Sequence, residues 1–260
     1  VNPEFDLAGF RLAGRMTPGA MIEHTRQHRI RLAIPAGPIG KYRLAQLDDY
    51  AGLKRHAFPH RPPFHLCLKL RASASILPGT WGFGLWNDPF GLGLPGMGGG
   101  LRLPALPQAA WFFHASPENY LSLEDRGPGN GWLAMAFSSS RLRPWEYVLA
   151  LLLPLLAIPA GRRSLRRLAR RYIRSQAVEL RADPADWHLY CLDWREGGVT
   201  FRLDDELVFE SDLSPVGRLG LVIWIDNQYM GYLPDGRMQY GLLVNREAAW
   251  LEVETCLPGD

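Results

Sequence analysis

The chain is divided into short extended runs, and their number and spacing restrict it to very few architectures. "RIRLAI" (29–34), "KYRLAQL" (41–47) and "FHLCLKLRAS" (64–73) alternate apolar with polar residues or are rich in strand formers. "TWGFGLWN" (80–87), "AAWFFHAS" (109–116), "NYLSLE" (119–124) and "GWLAMAFSS" (131–139) come next. "WHLYCLDWRE" (187–196), "GVTFRLDDELVFES" (198–211), "GRLGLVIWIDN" (217–227) and "AAWLEVETC" (248–256) complete the series. Turn formers such as "LPGT", "GPGNG", "REGG" and "LPDG" separate the runs. In "GVTFRLDDELVF" two alternating runs flank an acidic pair, the pattern of a hairpin. Ten or more short strands joined in this way predict an all-β chain folded as a two-sheet antiparallel sandwich. The 260 residues are read as a single domain, 1–260, with one helical insertion near 145–175.

That insertion is "WEYVLALLLPLLAIPAGRRSLRRLARRYIR". Its first sixteen residues are almost uncharged but reach only roughly 24 Å as a helix, against the roughly 30 Å of a bilayer core. Pro154 and Pro159 interrupt them, so a single membrane span is not expected. In the second half Leu165, Leu168, Ala169, Tyr172 and Ile173 fall on one helical stripe. Arg162, Arg163, Arg166, Arg167, Arg170, Arg171 and Arg174 occupy the rest. Gly161 lies between the halves, which predicts two helical pieces meeting at a bend. The expectation is a lid or arm whose apolar half covers a cleft or dips into an interface, with the arginines meeting an anionic membrane surface or an acidic partner.

Formal net charge is +3, and the arginine segment supplies it; the remainder is slightly acidic, so nucleic acid is not an expected partner. The first residues show no charged-then-apolar segment, and the expected location is cytoplasmic, peripheral to a membrane where the arginines engage one. Cys67, Cys191 and Cys256 match no ligand spacing and are expected to be reduced thiols in strands. No metal and no cofactor is expected. His24 and His28 are spaced for a metal only on a helix, which the adjoining strand pattern opposes. His60 and His65, in "HRPPFH", invite the same reading and are set aside with them. The glycine-rich stretch 90–107 lacks the strand-to-helix setting of a phosphate loop and reads as a surface loop.

"LCLKLRASASILPGTWGFGLWND" resembles the paired strands that cross the sugar cleft in family-16 glycoside hydrolases, the laminarinase and lichenase group of concanavalin A-like jelly rolls. "ADWHLYCLDWREGGVTFRLDDELVFES" and "AAWLEVETC" are similar to later strands of that family, and the resemblance spans roughly residues 40–256. It implies a jelly roll with one concave, cleft-bearing sheet. The family's catalytic strand reads Glu-x-Asp-x-x-Glu, a pattern found nowhere in this chain. In its place stands "AAWFFHAS", with Ala109 and Trp111 at the nucleophile and helper positions and Phe113 or His114 at the acid/base. Retaining hydrolysis needs two carboxyl groups about 5–5.5 Å apart. Glu118 and Glu124 are six residues apart, roughly 20 Å along a strand, and cannot supply them. Ordinary family-16 hydrolysis is therefore not expected.

The expected function is a glycosidase-like scaffold that binds a hydrophobic or amphipathic small molecule in an aromatic concave cleft, with any conversion achieved by confinement and orientation. A non-catalytic carbohydrate-binding module is the alternative, and a membrane-surface or partner-binding scaffold the second. The ligand-binding set is Trp81, Trp86, Asn87, Trp111, Phe113, His114, Tyr120, Trp224, Asp226 and Asn227. His114 is also the one weak catalytic candidate, since imidazole titrates near neutrality, although no carboxylate shares its strand.

Overall fold

The structure is a computed structural model that describes residues 3–26, 28–89, 105–123, 127–140 and 159–255. In chain order the strands are β1 (Glu4–Leu7), β2 (Phe10–Met16), β3 (Met21–Arg26), β4 (Arg29–Ile34), β5 (Leu44–Asp48), β6 (Phe64–Ala72), β7 (Thr80–Trp86), β8 (Ala109–Ala115) and β9 (Gly131–Ser139). Helix α1 (Pro159–Tyr172) follows. Then come β10 (Ile173–Glu179), β11 (His188–Arg195), β12 (Gly198–Leu203), β13 (Glu206–Ser211), β14 (Gly220–Asp226), β15 (Gln228–Tyr232), β16 (Met238–Leu242) and β17 (Ala249–Thr255).

Two antiparallel sheets stack as a jelly-roll sandwich. Sheet A runs β1-β2-β5-β14-β7-β8-β9-β10, sheet B runs β13-β12-β11-β6-β17-β4-β3, and β15-β16 form a separate hairpin. The core lies between the sheets. Strand β6 shows the expected alternation: Leu66, Leu68, Leu70 and Ala72 point inward, and His65, Cys67, Lys69 and Arg71 point out. The middle of sheet A breaks that rule. Strand β14, "GLVIWID", is buried at every position, as is β5. A strand apolar along its whole length is one covered on both faces, so the outer face of sheet A is a second apolar layer. The β12–β13 hairpin turns on Asp204 and Asp205, at φ +48° and +65°, the left-handed pair of a two-residue turn.

Several expectations change. Residues 119–123 are not a strand: Tyr120 makes one isolated bridge to Gly231, and the Asn119 amide locks a turn by donating to Gly79 O and Ser116 O. Strands β1, β2, β3, β10, β15 and β16 had no clear signature in the sequence. β1, β3 and β10 are edge strands, β2 lies between β1 and β5, and β15–β16 are a peripheral hairpin; pairing with their partners holds them in place. Strand β10, "IRSQAVE", pairs with β9 from Ile173↔Ser139 to Glu179↔Leu133. Cys67 and Cys191 are not separate thiols. Register places them opposite each other on β6 and β11, and they form a disulfide across a sequence separation of 124. Cys256 lies outside the described residues.

Gly161 lies in the first turn of α1, the half expected before it lies outside the described residues, and Ile173 opens β10 instead of extending the helical stripe. Residues 145–158 and most of the glycine-rich stretch, 90–104, lie outside the described residues. Among the described residues no helix is long and apolar enough to cross a membrane. Arg166 does not belong to a solvent-facing basic surface. It is 3% exposed, donates to the carbonyls of Tyr232, Ser122 and Leu123, and lies over the rings of Tyr120 and Tyr232. This buried guanidinium fastens the helix to the sandwich. Arg166→Met keeps the bulk but leaves three buried acceptors without their donor. It should lower unfolding free energy by about 2–3 kcal/mol in a urea titration. A loss below about 0.5 kcal/mol would show that the helix is held elsewhere.

Candidate functional site: the aromatic outer face of sheet A

Register across the centre of sheet A stacks the outward side chains in rows. One row carries Gln46, Trp224, Gly82, Phe113 and Leu133; the next carries Asp48, Val222, Gly84, Trp111 and Met135. A third sets Trp86 beside Ala109 and Phe137. Two of the central strand's outward positions are therefore glycine. A Cβ on Gly82 would stand 2.3 Å from Phe112 O and 3.1 Å from Trp224 Cη2. One on Gly84 would stand 2.4 Å from Ala110 O and 2.6 Å from Trp111 Cβ. The missing side chains leave a furrow, and the neighbouring rings lean over it. Trp111 lies in the middle, with ring centroids 5.9 Å from Trp86, 5.2 Å from Phe113, 6.1 Å from Phe137 and 5.5 Å from Trp224. Trp86 and Trp224 are nearly parallel, 7° apart, at 6.4 Å.

Polar groups border the rings and are occupied with one another. Trp86 Nε1 donates to Tyr50 Oη at 2.6 Å, and Gln46 Nε2 donates to Tyr50 Oη and to Asp48 Oδ2. Asp48, fully buried, is gripped by Arg15 Nε at 2.8 Å and Nη2 at 3.0 Å. Burial nevertheless raises its carboxyl above the usual range, Arg15 and Gln46 opposing the shift. At the other end Trp224 Nε1 donates to Thr80 Oγ1 at 3.1 Å, and Thr80 Oγ1 donates to Asp226 Oδ1 at 2.8 Å. Tyr42 Oη reaches Asp226 Oδ2 at 3.4 Å. Burial pushes Asp226 up to about 7, with the hydrogen bonds from Thr80 and Gln228 working the other way. The exception is Trp111, whose buried indole N–H has no hydrogen-bond partner among the described residues.

The two carboxylates do not make a glycosidase pair. Asp48 faces Val222 across the ladder, and Asp226 lies four residues further along β14, roughly 13 Å away at about 3.3 Å per residue. Retention requires about 5–5.5 Å, and Arg15 already occupies Asp48.

Of the predicted site residues, Trp86, Trp111, Phe113 and Trp224 come together on this face, with Asp226 at its end. Asn87 and Asn227 are structural braces: the first ties Leu106 O and Gln108 N, the second ties Arg43 N, Lys41 O and Leu243 O. Tyr120 lies under Arg166 at the helix junction. Trp81 and His114 point the other way, into the core between the sheets, where their rings stack at 5.3 Å. His114 Nδ1 is buried without a partner among the described residues, and burial pushes its pKa down to about 4. It is a neutral core imidazole near pH 7 and no general acid or base for the outer face. Tyr42, Gln46, Asp48, Tyr50 and Thr80 border the rings and were absent from the predicted set. The alternation of "LAQLD" held the signal for two of them, since it puts Gln46 and Asp48 on one face. His60 bonds Asp49 and His65 bonds Asp193. His65 does lie beside Cys67 and Cys191, but sulfurs bonded to each other offer no thiolate to a metal.

No family model matches the chain, and no curated protein does. Solved structures do. A family-16 glycoside hydrolase endo-glucanase from Bacteroides ovatus is 12% identical, covering 91% of this chain and 84% of its own, with a TM-score of 0.41. The kappa-carrageenase from Pseudoalteromonas carrageenovora is 11% identical over 90% of this chain and 80% of its own, at 0.44. LamAcat from Zobellia galactanivorans is 12% identical over 88% and 76%, at 0.38. The jelly-roll architecture itself rests on the strand order given above.

The two shifted groups give opposite pH dependences. His114 has a folded pKa below its ordinary 6.5, so the stability that depends on its neutral form is present above 6.5 and lost as pH falls through about 4. Its shift corresponds to about 3 kcal/mol. Asp226 has a folded pKa above 3.8, so its contribution is complete below 3.8 and lost as pH rises through about 7. His114→Phe should flatten the acid limb of a thermal-melt pH series between 6.5 and 4, and Asp226→Asn should flatten the limb between 4 and 7. Unchanged limbs in both variants would show that neither group titrates as its burial requires.

Proposed function

We propose that this sandwich is a glycosidase-like scaffold that binds an apolar or amphipathic small molecule on the outer face of sheet A. The observation that carries the reading is the buried, unpartnered indole N–H of Trp111 at the centre of an aromatic layer whose other polar groups are already paired. A buried donor left unmade costs about 1–3 kcal/mol. A ligand with an apolar body and one oxygen acceptor would satisfy it and bury its carbon skeleton against the rings. Phe113 and Trp224 are closed to solvent, at 4% and 8% exposure, whereas Trp86 and Trp111 stay half-buried. The way in is therefore between Trp86 and Trp111. A sugar would need several free polar groups beside these rings, and Gln46, Tyr50, Asp48, Thr80 and Asp226 are bonded to one another and to Arg15. Any conversion of the ligand would proceed by confinement and orientation, with Asp226 the titratable group at the edge of the rings. Arg163, Arg167 and Arg171, exposed on α1, supply the surface for anionic headgroups from which an amphipathic ligand could be drawn.

Binding of ANS or a long-chain fatty acid should quench tryptophan fluorescence, and Trp111→Ala should weaken it at least tenfold. Co-sedimentation with anionic liposomes should weaken as salt is raised. Laminarin and lichenan should not be cleaved. If glucan oligosaccharides bind while ANS and fatty acid do not, the face is that of a carbohydrate-binding module and the proposal fails.

A further inference from the structure

We propose that Cys67 and Cys191 are a thiol–disulfide exchange pair on the outer face of sheet B, with Cys67 the nucleophilic sulfur and His65, positioned by Asp193, its base. The site is independent of the aromatic face, which lies on the opposite sheet. Strand alternation puts His65 and Cys67 outward on β6 and Cys191 and Asp193 outward on β11. Register then closes a square, with Cys67 opposite Cys191 and His65 opposite Asp193. His65 Nδ1 is 2.8 Å from Asp193 Oδ1, and His65 Nε2 is 3.2 Å from Cys67 Sγ. A carboxylate on Nδ1 fixes the tautomer that leaves Nε2 bare toward the sulfur, the arrangement that activates a nucleophile.

The two sulfurs differ in access. Cys67 is half-buried beside an imidazole whose side chain is 61% exposed, whereas Cys191 is 8% exposed. An external disulfide reaches Cys67, and Cys191 is placed to resolve. Lys69 follows Cys67 on the same strand face and Arg202 stands opposite Cys191, cations that favour thiolate. The bond is not what sets the strand register: β6 and β11 pair from Phe64↔Trp194 to Leu70↔His188, with β17 and β12 on either side.

In the reduced protein the Cys67 thiol passes its proton to His65 Nε2. The thiolate attacks one sulfur of a substrate disulfide RSSR, forming Cys67–S–S–R and expelling RS⁻, which takes the proton from the imidazolium. The Cys191 thiol, losing its proton to solvent, attacks Cys67 Sγ, forms the Cys67–Cys191 bond and expels the second RS⁻, which is protonated from solvent. The protein dithiol is oxidised and RSSR becomes two RSH; an external dithiol runs the cycle backward.

The experiment uses the full chain carrying Cys256→Ser, with oxidised glutathione and iodoacetamide as probes and circular dichroism to confirm that each variant is folded. Dithiothreitol without denaturant should open the disulfide. Oxidised glutathione should close it again, and in Cys191→Ser a glutathione adduct should accumulate at Cys67 by peptide mass mapping. At pH 7 reduced Cys67 should alkylate about tenfold faster than Cys191. Most of that advantage should disappear in His65→Ala, along with the low-pH arm of its rate profile, and Asp193→Asn should reduce it part-way. A disulfide that resists dithiothreitol in the folded protein, equal alkylation of the two sulfurs, or a Cys67 profile unchanged in His65→Ala would each overturn the proposal and leave a structural crosslink.

Discussion

The close approach of β7 to β8 at Gly82 and Gly84 is the constraint on which the aromatic face depends. A Cβ at either position would collide with a carbonyl of β8, at 2.3 and 2.4 Å, so no side chain can be put back without parting the strands. Gly84 also sits at φ +147°, where L residues are disfavoured. The furrow left by the two glycines is what lets Trp224 and Trp111 lean over the sheet and meet, at 5.5 Å, from strands on opposite sides of β7. Ring pairs offset in this way are stabilising beyond the area they bury, by about 0.5–1.5 kcal/mol each. The aromatic layer therefore follows from backbone spacing first and from side-chain identity second.

That layer also determines where charge can sit. With Ala109, Trp111, Phe113 and Ala115 outward on β8, the middle of the face holds no ionisable group among the described residues, whose carboxylates appear at its two ends. Asp48 sits beside Arg15 and within a chain of donors leading to Trp86, with burial raising its carboxyl. Asp226 has no cation among its hydrogen-bonding partners, and burial holds it near neutrality. One end of the face is thus a carboxyl bound by a guanidinium, and the other a carboxyl whose pKa burial pushes up to about 7.

How much of this could be read from sequence depends on whether a feature is local. The hairpin at Asp204 and Asp205, the alternation of β6 and the continuous apolar run of β14 are local, and they follow from side-chain pattern alone. So does the absence of carboxylates from "AAWFFHAS". Strand β10 is not local, because "IRSQAVE" becomes a strand only by pairing with β9. The inward turn of Trp81 and His114 was in principle visible, since both stand one residue away from outward positions, Gly82 and Phe113. Alternation along β7 and β8 sends every second ring of an aromatic-rich segment into the core. The Cys67–Cys191 bond could not have been read, because 124 residues separate partners that only the β6–β11 register brings together. Arg166 misled for a related reason: on a helix dense in arginine, nothing local marks the one that turns inward onto carbonyls of distant segments.

The two outer faces of the sandwich solve the problem of an exposed sheet in opposite ways. Sheet A covers itself with rings. Sheet B uses a charged lattice: Glu252, buried, accepts from Arg31 and Arg71, and Glu254 accepts from Arg29. Trp250 lies beneath Arg31 and Arg71, and Trp187 beneath Arg29 and Arg71, so each guanidinium is held by a carboxylate and a ring together. Burial alone would raise the Glu252 carboxyl, but the hydrogen bonds from Arg71 and Arg31 bring it below its ordinary value, which keeps the lattice ionised. The lattice covers the β4–β17–β6 side of sheet B and gives way, between β6 and β11, to the His65–Asp193 pair and the two sulfurs. Chemistry that needs proton transfer in water can therefore sit on sheet B, where the groups are hydrated and charged. Sheet A, closed and apolar, is suited to a ligand that avoids water. A sandwich only two sheets thick can hold both because its core insulates one face from the other.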